Sequence, residues 1–186
     1  STVLLRNDID STMTSPPVVV LLVITVCLLS GWAGYQKRQT VYTWPQFALW
    51  SIVVCLTRCW WRTTCSTPFP EKARSGVVIV ANHRSSIDPF FVQVLFKKPT
   101  HWMVAKEYCE HWAFRWLLKT CEVIPVSRGG IDTAGIKTAI RYSQQGRVIG
   151  MFPEGRINTT EDLLMPVRPG AVLIALRGNT PLLPCY

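Results

Sequence analysis

A histidine and an aspartate five positions apart carry the clearest chemical signal in the chain. His83 and Asp88 follow the continuous apolar run 77–81, and Pro89 comes directly after the aspartate. The apolar run predicts a buried strand, and Asp followed by Pro predicts a helix start with Asp88 as its N-cap. A carboxylate beside an imidazole can fix the tautomer of the ring and leave its other nitrogen free to accept a proton. The spacing therefore predicts an acid–base pair at a strand-to-helix junction.

Without further signals, the same two residues could be a surface histidine and a capping aspartate. Three later stretches argue against that alternative, because together with the first they resemble the four motifs of the glycerolipid acyltransferases in the correct order. The four stretches are NHxSxxD at 82–88, IPVSR at 124–128, FPEGR at 152–156 and TPLLP at 180–184. The resemblance covers residues 76–186.

The resemblance implies an acyltransferase of the 1-acyl-sn-glycerol-3-phosphate type. Such an enzyme moves a fatty acyl group from acyl-CoA or acyl carrier protein to the sn-2 hydroxyl of lysophosphatidate (1-acyl-glycerol 3-phosphate) and gives phosphatidate. Acyl transfer to an alcohol needs a base for the hydroxyl proton, and we assign His83 as that base and Asp88 as the group that orients it. No GxSxG sequence surrounds Ser85 or Ser86, which disfavours an acyl-serine route. Backbone N–H groups of the turn are the candidates for stabilising the oxyanion.

The acceptor phosphate requires fixed hydrogen-bond donors. Arg128 ends a predicted strand and can present a bidentate guanidinium, and the resemblance implies that Glu154, Gly155 and Arg156 contact the acceptor as well. Lys106, which follows another predicted strand, is a weaker phosphate candidate. Each of these could instead be a solvated loop residue.

The third motif departs from the commonest family pattern, FPEGTRS, because Arg156 directly follows Gly155. This leaves the acceptor open between lysophosphatidate, another lysophospholipid and glycerol 3-phosphate. The chain also stops at Tyr186, directly after the fourth motif, so either it is C-terminally truncated or its sheet closes with fewer elements.

Composition favours a membrane surface over nucleic acid as the partner. The chain has a net charge of +9, 48% hydrophobic residues, a mean hydropathy of +0.20 and eight tryptophans. Positive charge suits anionic lipid headgroups or a phosphorylated substrate. The seven cysteines form no CxxC pair, which predicts reduced thiols that pack as small apolar side chains. We expect neither a metal nor a cofactor beyond the acyl thioester.

The N-terminal part predicts a membrane anchor over residues 16–65, after a disordered segment at 1–15. Residues 18–35 are apolar and uncharged, about the minimum length for a spanning helix. Lys37 and Arg38 follow at once, which places this end and the catalytic domain in the cytoplasm. A second apolar stretch at 44–61 is interrupted by arginines, and we interpret it as interfacial or re-entrant rather than as a second full span.

After a linker at 66–75, the chain alternates strand and helix patterns and predicts an α/β domain over 76–186. We expect a mixed, mostly parallel sheet with helical crossovers, and chemistry at the carboxyl ends of its strands. The predicted strands are 77–81, 101–105, 122–126, 147–152 and 181–185. The predicted helices are 88–97, 107–119, 132–145 and 168–178.

The predicted helix 107–119 carries an aromatic stripe, with Tyr108, Trp112 and Trp116 four residues apart. Such a stripe can face the core, or it can dip into the lipid interface; the sequence leaves both open. A protein of another class, a non-catalytic membrane lipid-binding protein with the same fold, is also compatible with these patterns.

Overall fold

The computed structural model of the protein describes residues 16–65, 76–127 and 132–186. The predicted disordered N-terminus at 1–15, the predicted linker at 66–75 and Arg128 lie outside the described residues. The chain divides into two compact units, residues 1–40 and residues 41–186.

The described part of the first unit is helix α1, Pro16–Arg38. Its 22 residues from Pro17 to Arg38 have a mean hydropathy of 2.2, and by length and composition this is the one helix in the described ranges that could cross a membrane. At about 1.5 Å per residue such a helix exceeds the roughly 30 Å hydrocarbon core of a bilayer. Lys37 and Arg38 lie in its last turn.

The second unit begins with helix α2, Trp44–Cys55, which continues as a π-helical turn over Leu56–Trp60. The Gln46 amide donates to the Thr120 carbonyl at 2.9 Å and to Glu122 Oε1 at 3.1 Å, so α2 is tied to the α/β part of this unit. The interpretation of this second apolar stretch as interfacial or re-entrant, rather than as a second full span, stays a prediction.

The core of the second unit is a sheet of five parallel strands, in the order β3-β2-β4-β1-β5. The prediction of an α/β sheet with helical crossovers is confirmed, and within the described residues every strand pairing is parallel. Strands β1 and β4 are apolar along their whole length, as is typical of strands covered on both faces. The strands are β1 Val77–Ala81, β2 Thr100–Ala105, β3 Ile124–Val126, β4 Val148–Met151 and β5 Leu182–Cys185.

Helices cover the sheet on two sides. They are α3 Asp88–Gln93, α4 Lys106–Glu110, α5 Trp112–Thr120, α6 Thr133–Gln144 and α7 Gly170–Gly178. Val78 and Ile149 pack on one side with residues of α6 and α7. Val77 and Ile79 pack on the other side with Val92 of α3. The alternation of β1 between these two clusters fixes the direction in which the strand delivers His83.

Several predicted boundaries differ from the structure by one residue or more, and three of these differences are described here. The helix predicted at 88–97 ends at Gln93, after which the chain turns towards β2. The strand predicted at 122–126 starts at Ile124, because Glu122 has a left-handed backbone with φ 51°. The helix predicted at 107–119 is two helices, because His111 takes an extended backbone, φ −68° and ψ 129°, and caps α5 by accepting from the Ala113 N–H at 3.3 Å.

The cysteines are free thiols, as predicted, but none of the seven is buried. Cys27, Cys55, Cys59 and Cys65 are exposed, and the other three are half-buried. Cys185 packs against the apolar cluster of Val77 and Ile79, as predicted for a small apolar side chain, whereas the four exposed thiols depart from that prediction.

Candidate active site

The first motif lies at the carboxyl edge of the sheet, directly after β1. His83 Nδ1 lies 3.1 Å from Asp88 Oδ2, and the side chains are 17% and 21% exposed. Within the described residues His83 Nε2 has no hydrogen-bond partner, so one ring nitrogen is fixed and the other is open. The geometry matches the arrangement that the spacing predicts.

Asp88 acts differently from the predicted N-cap. The N-cap of α3 is Ile87, and Asp88 is the first residue of the helix. Its Oδ2 turns back and accepts the backbone N–H groups of Arg84 and Ser85, each at 2.7 Å, as well as facing His83. Because one oxygen accepts both backbone N–H groups and also faces the ring, these bonds hold the carboxylate against the imidazole.

Strand pairing places the third motif beside the first. Strand β4 is parallel to β1, with Val80 opposite Met151, so the segments that follow the two strands leave the same edge together. The Phe152 ring stacks on the His83 ring, with centroids 3.9 Å apart and planes at 9°. The Trp102 ring stacks in turn on the Phe152 ring, with centroids 4.9 Å apart. The imidazole plane is therefore fixed by a stack of aromatic rings as well as by Asp88.

Glu154 holds the two motifs together. Its side chain is buried, Oε1 accepts the His83 N–H at 2.7 Å, and Oε2 accepts the Met165 N–H at 3.0 Å. Both carboxylate oxygens thus have backbone donors, which makes Glu154 a positioning residue in this geometry. Its predicted contact with the acceptor stays a prediction.

The backbone donors proposed for the oxyanion are largely occupied. The N–H of His83 donates to Glu154, and the N–H groups of Arg84 and Ser85 donate to Asp88. These three groups therefore organise the turn, and stabilisation of the oxyanion by backbone N–H groups stays a prediction.

A small cationic cavity adjoins Glu154. It has a volume of about 270 Å³ and is lined by Arg156, Arg168 and Gly155 with Glu154, Met165 and Pro166. Gly155 has φ 73°, and a Cβ built there would lie 3.5 Å from the Arg168 guanidinium carbon. Within the described residues no carboxylate pairs with either arginine. Two unneutralised guanidinium groups beside a glycine turn suit a phosphate.

Two further residues, Lys106 and Arg128, are predicted to bind the acceptor phosphate. Lys106 is the first residue of α4 and lies 3.4 Å from Glu110, with both side chains well exposed. The backbone N–H of Gly135 and other backbone donors lower the pKa of Asp132, and the charge of Lys106 adds a smaller contribution in the same direction. Lys106 is thus on the side of the site where the segment after β3 leaves the sheet. Arg128, in that segment, lies outside the described residues.

The sequence reasoning missed three residues of this site. Asn158 is buried, its N–H donates to the His83 carbonyl at 2.6 Å, and its side chain closes a local turn. Arg168 and Phe152 were not assigned a role. The polar residues of the segment 156–168 have no periodicity, so only their distance from the motif glycine could have drawn attention to them.

A larger surface cavity, of about 610 Å³, lies between α7 and β5. It is lined by Leu176 and Leu182 among others, and by none of the residues predicted to do chemistry. Size alone would therefore point away from the acid–base pair.

Comparison with known proteins assigns the family. The sequence pattern of the family described as Acyltransferase matches residues 63–186, so the chain belongs to that family. This range includes all four motifs and the whole sheet, and the recognition made from the motifs is confirmed.

Curated relatives agree with this family and differ in length from the chain. The 1-acyl-sn-glycerol-3-phosphate acyltransferase of Bacillus subtilis (strain 168) is 34% identical over 113 residues, covering 60% of this chain and 55% of the relative. The protein of the same name from Borreliella burgdorferi is 31% identical over 123 residues, covering 65% and 48%. The chain thus spans about half the length of the curated relatives it matches.

The crystal structure of the 1-acyl-sn-glycerophosphate (LPA) acyltransferase PlsC from Thermotoga maritima has a similar fold. The TM-score is 0.57, with 16% identity over 83% of this chain and 64% of that one. At this identity the likeness supports the architecture.

Proposed function

We propose that the chain transfers a fatty acyl group from acyl-CoA or acyl carrier protein to the sn-2 hydroxyl of 1-acyl-glycerol 3-phosphate, giving phosphatidate. The observation that carries the proposal is the His83–Asp88 pair, 3.1 Å apart, at the sheet edge. The names of the curated relatives support the choice of acceptor.

In the proposed reaction His83 is the general base. Nε2 accepts the proton of the acceptor hydroxyl as its oxygen attacks the thioester carbonyl carbon, and Asp88 stabilises the imidazolium that forms. The tetrahedral intermediate then collapses, the carbon–sulfur bond breaks, and the proton leaves with the thiol. An ester and a free thiol result, and no nucleophile of the enzyme and no cofactor is needed.

The cationic cavity is the proposed site for the acceptor phosphate. Arg156 and Arg168 line it directly, and Arg128 and Lys106 are further candidates from the sequence. Guanidinium groups bind phosphate through paired hydrogen bonds. Glu154 links this cavity to the base through its bond to the His83 N–H, so one hydrogen bond between two loops joins the proposed phosphate site to the proposed base.

The proposed location is a membrane, with the catalytic unit on the cytoplasmic side. The apolar length of α1 supports the anchor, and Lys37 and Arg38 at its end support the orientation through the positive-inside rule. A reporter fused after Tyr186 would test the orientation, since a cytoplasmic end gives fluorescence of a green fluorescent protein and no alkaline phosphatase activity. The reverse result would overturn the orientation without affecting the chemistry.

An acceptor panel tests the proposed substrate. The full chain, purified in detergent, receives labelled acyl-CoA with lysophosphatidate, lysophosphatidylethanolamine or glycerol 3-phosphate, and acyl carrier protein thioester replaces acyl-CoA in a parallel set. We expect turnover with lysophosphatidate. Turnover with another acceptor alone would favour the alternative suggested by the missing residue between Gly155 and Arg156, and lysolipid binding without turnover would favour the non-catalytic lipid-binding protein.

A further inference from the structure

Helix α5 lacks the buried face that a crossover helix normally has. It connects β2 to β3, yet none of its residues is buried. Leu117 and Leu118 are half-buried, whereas Trp112 is 86% exposed and Trp116 66% exposed. A tryptophan in water leaves a large apolar area unburied, so two on one short helix require an explanation other than core packing.

The exposed tryptophans share one side of α5 with two cations. With 3.6 residues per turn, Trp112, Trp116, Arg115 and Lys119 fall within an arc of roughly 100°. Leu117 and Leu118 lie on the other side. We call the four residues the tryptophan face. Lysine and arginine beside tryptophan are the composition of a helix that lies at a lipid–water interface, where the rings enter the headgroup region and the cations meet phosphates.

We propose that the tryptophan face of α5 lies on an anionic lipid bilayer. Charge supports this occupant, because both cations of the face are exposed and the chain carries a net charge of +9. The apolar helix α1, long enough to cross a membrane, supports it independently. The proposal goes beyond acyl transfer and does not depend on the identity of the acceptor.

The position of α5 in the chain gives the contact a consequence. Its neighbour α4 starts at Lys106, directly after β2 ends at the sheet edge that also carries His83. A lipid contact at α5 would therefore hold the connection between β2 and β3 at the bilayer that contains a lipid acceptor.

Photo-crosslinking tests the proposal on the full chain. The protein is reconstituted into phosphatidylcholine vesicles that contain phosphatidylglycerol and a lipid with a diazirine on its acyl chain. After irradiation, mass spectrometry maps the lipid adducts. We expect adducts at Trp112 and Trp116, and a loss of about fivefold or more when phosphatidylglycerol is omitted, because each cation near an anionic surface contributes about 1 kcal/mol.

Matched variants separate the face from general hydrophobicity. Trp112→Ser/Trp116→Ser should remove most of the adducts on 112–120 while α1 stays labelled. The control is Val172→Ser/Leu176→Ser, a pair at the same spacing on α7 with exposures of 53% and 75%. It should leave labelling of α5 unchanged.

Two outcomes would overturn the proposal. One is labelling that is confined to α1 while 112–120 receives none. The other is that 112–120 receives lipid adducts only when the protein is diluted to one chain per vesicle. That result would mean that a second copy of the chain covers the face at higher protein density. Neither readout requires turnover, so failure here and failure of the proposed acyl transfer are distinguishable.

Discussion

Two histidines of the α/β unit have similar partners and opposite environments. His83 faces a carboxylate at the carboxyl end of β1 and is 17% exposed. His101 lies in β2, is 4% exposed, has Nδ1 2.9 Å from the Glu122 carbonyl oxygen and 4.0 Å from its carboxylate, and contacts the Tyr142 ring. Residue type and a nearby acid are therefore insufficient to identify a base.

Access and position make the difference. His101 is enclosed, and burial lowers its pKa below the ordinary 6.5, so it is a neutral structural side chain at physiological pH. His83 lies where strands end and loops converge, and one of its ring nitrogens is open. The position of a histidine along its strand therefore decides whether it can meet a substrate, because substrates bind at the carboxyl ends of the strands.

The largest effect should come from His83→Ala. Without the base we expect kcat/KM to fall by at least about a hundredfold, the usual contribution of a positioned general base. Steady-state assays with the favoured acceptor measure this. The matched variant His101→Gln should retain turnover within about threefold, since no proton transfer is assigned to it. Equal losses in both variants would erase the distinction between the two histidines.

Glu154→Gln should have the next largest effect. The amide replaces one acceptor oxygen by a donor that meets a backbone N–H, so we expect a lower kcat by about tenfold or more and a loss of about 1–3 kcal/mol in the free energy of unfolding. Glu161→Gln, an exposed change in the same loop, is the control. A raised KM with stability intact would instead assign Glu154 to the acceptor, as the sequence predicts.

Arg168→Ala should act on acceptor binding. Removing one hydrogen-bonding cation from the cavity should raise KM for the phosphate-bearing acceptor by about tenfold with little change in kcat. Arg168→Lys should recover part of this, and Arg177→Ala, exposed on α7, should change nothing. The phosphate assignment of the cavity is lost if KM stays the same.

The smallest effect concerns His101 and pH. Because burial lowers the pKa of His101, the unfolded chain binds a proton more readily than the folded one below about pH 6.5. Stability is fully present above that pH and falls as pH drops towards the lowered folded value, with Glu122, Arg147 and Tyr142 nearby. Thermal unfolding of His101→Gln should show a shallower loss between pH 7.5 and 5.5 than the unmodified chain. An identical slope would assign the pH dependence to other groups.

The sheet could be predicted because its strands are short apolar runs bounded by turns, and all five were found. The helix break at His111 could not, because the sequence on both sides of this residue continues a helical pattern and only the backbone angle of His111 interrupts it. The tie between helix α2 and the turn before β3 is made by the amide of Gln46, a contact between residues 74 positions or more apart that no local pattern predicts.

The acid–base pair was predictable because both members belong to one short motif. The ties between motifs were not. Two hydrogen bonds, from the His83 N–H to Glu154 and from the Asn158 N–H to the His83 carbonyl, join loops more than 70 residues apart. Motif spacing predicts which side chains gather at the sheet edge, whereas the direction in which each carboxylate points depends on backbone donors that only the folded loops bring together.

A double-mutant cycle on His83 and Asp88 tests the central claim most directly. If Asp88 acts through the imidazole, Asp88→Asn lowers kcat/KM by about a hundredfold in the unmodified chain but by less than about threefold in the His83→Ala background, because coupled catalytic groups are strongly non-additive. A loss of the same size in both backgrounds would contradict the account, since Asp88 would then act independently of His83.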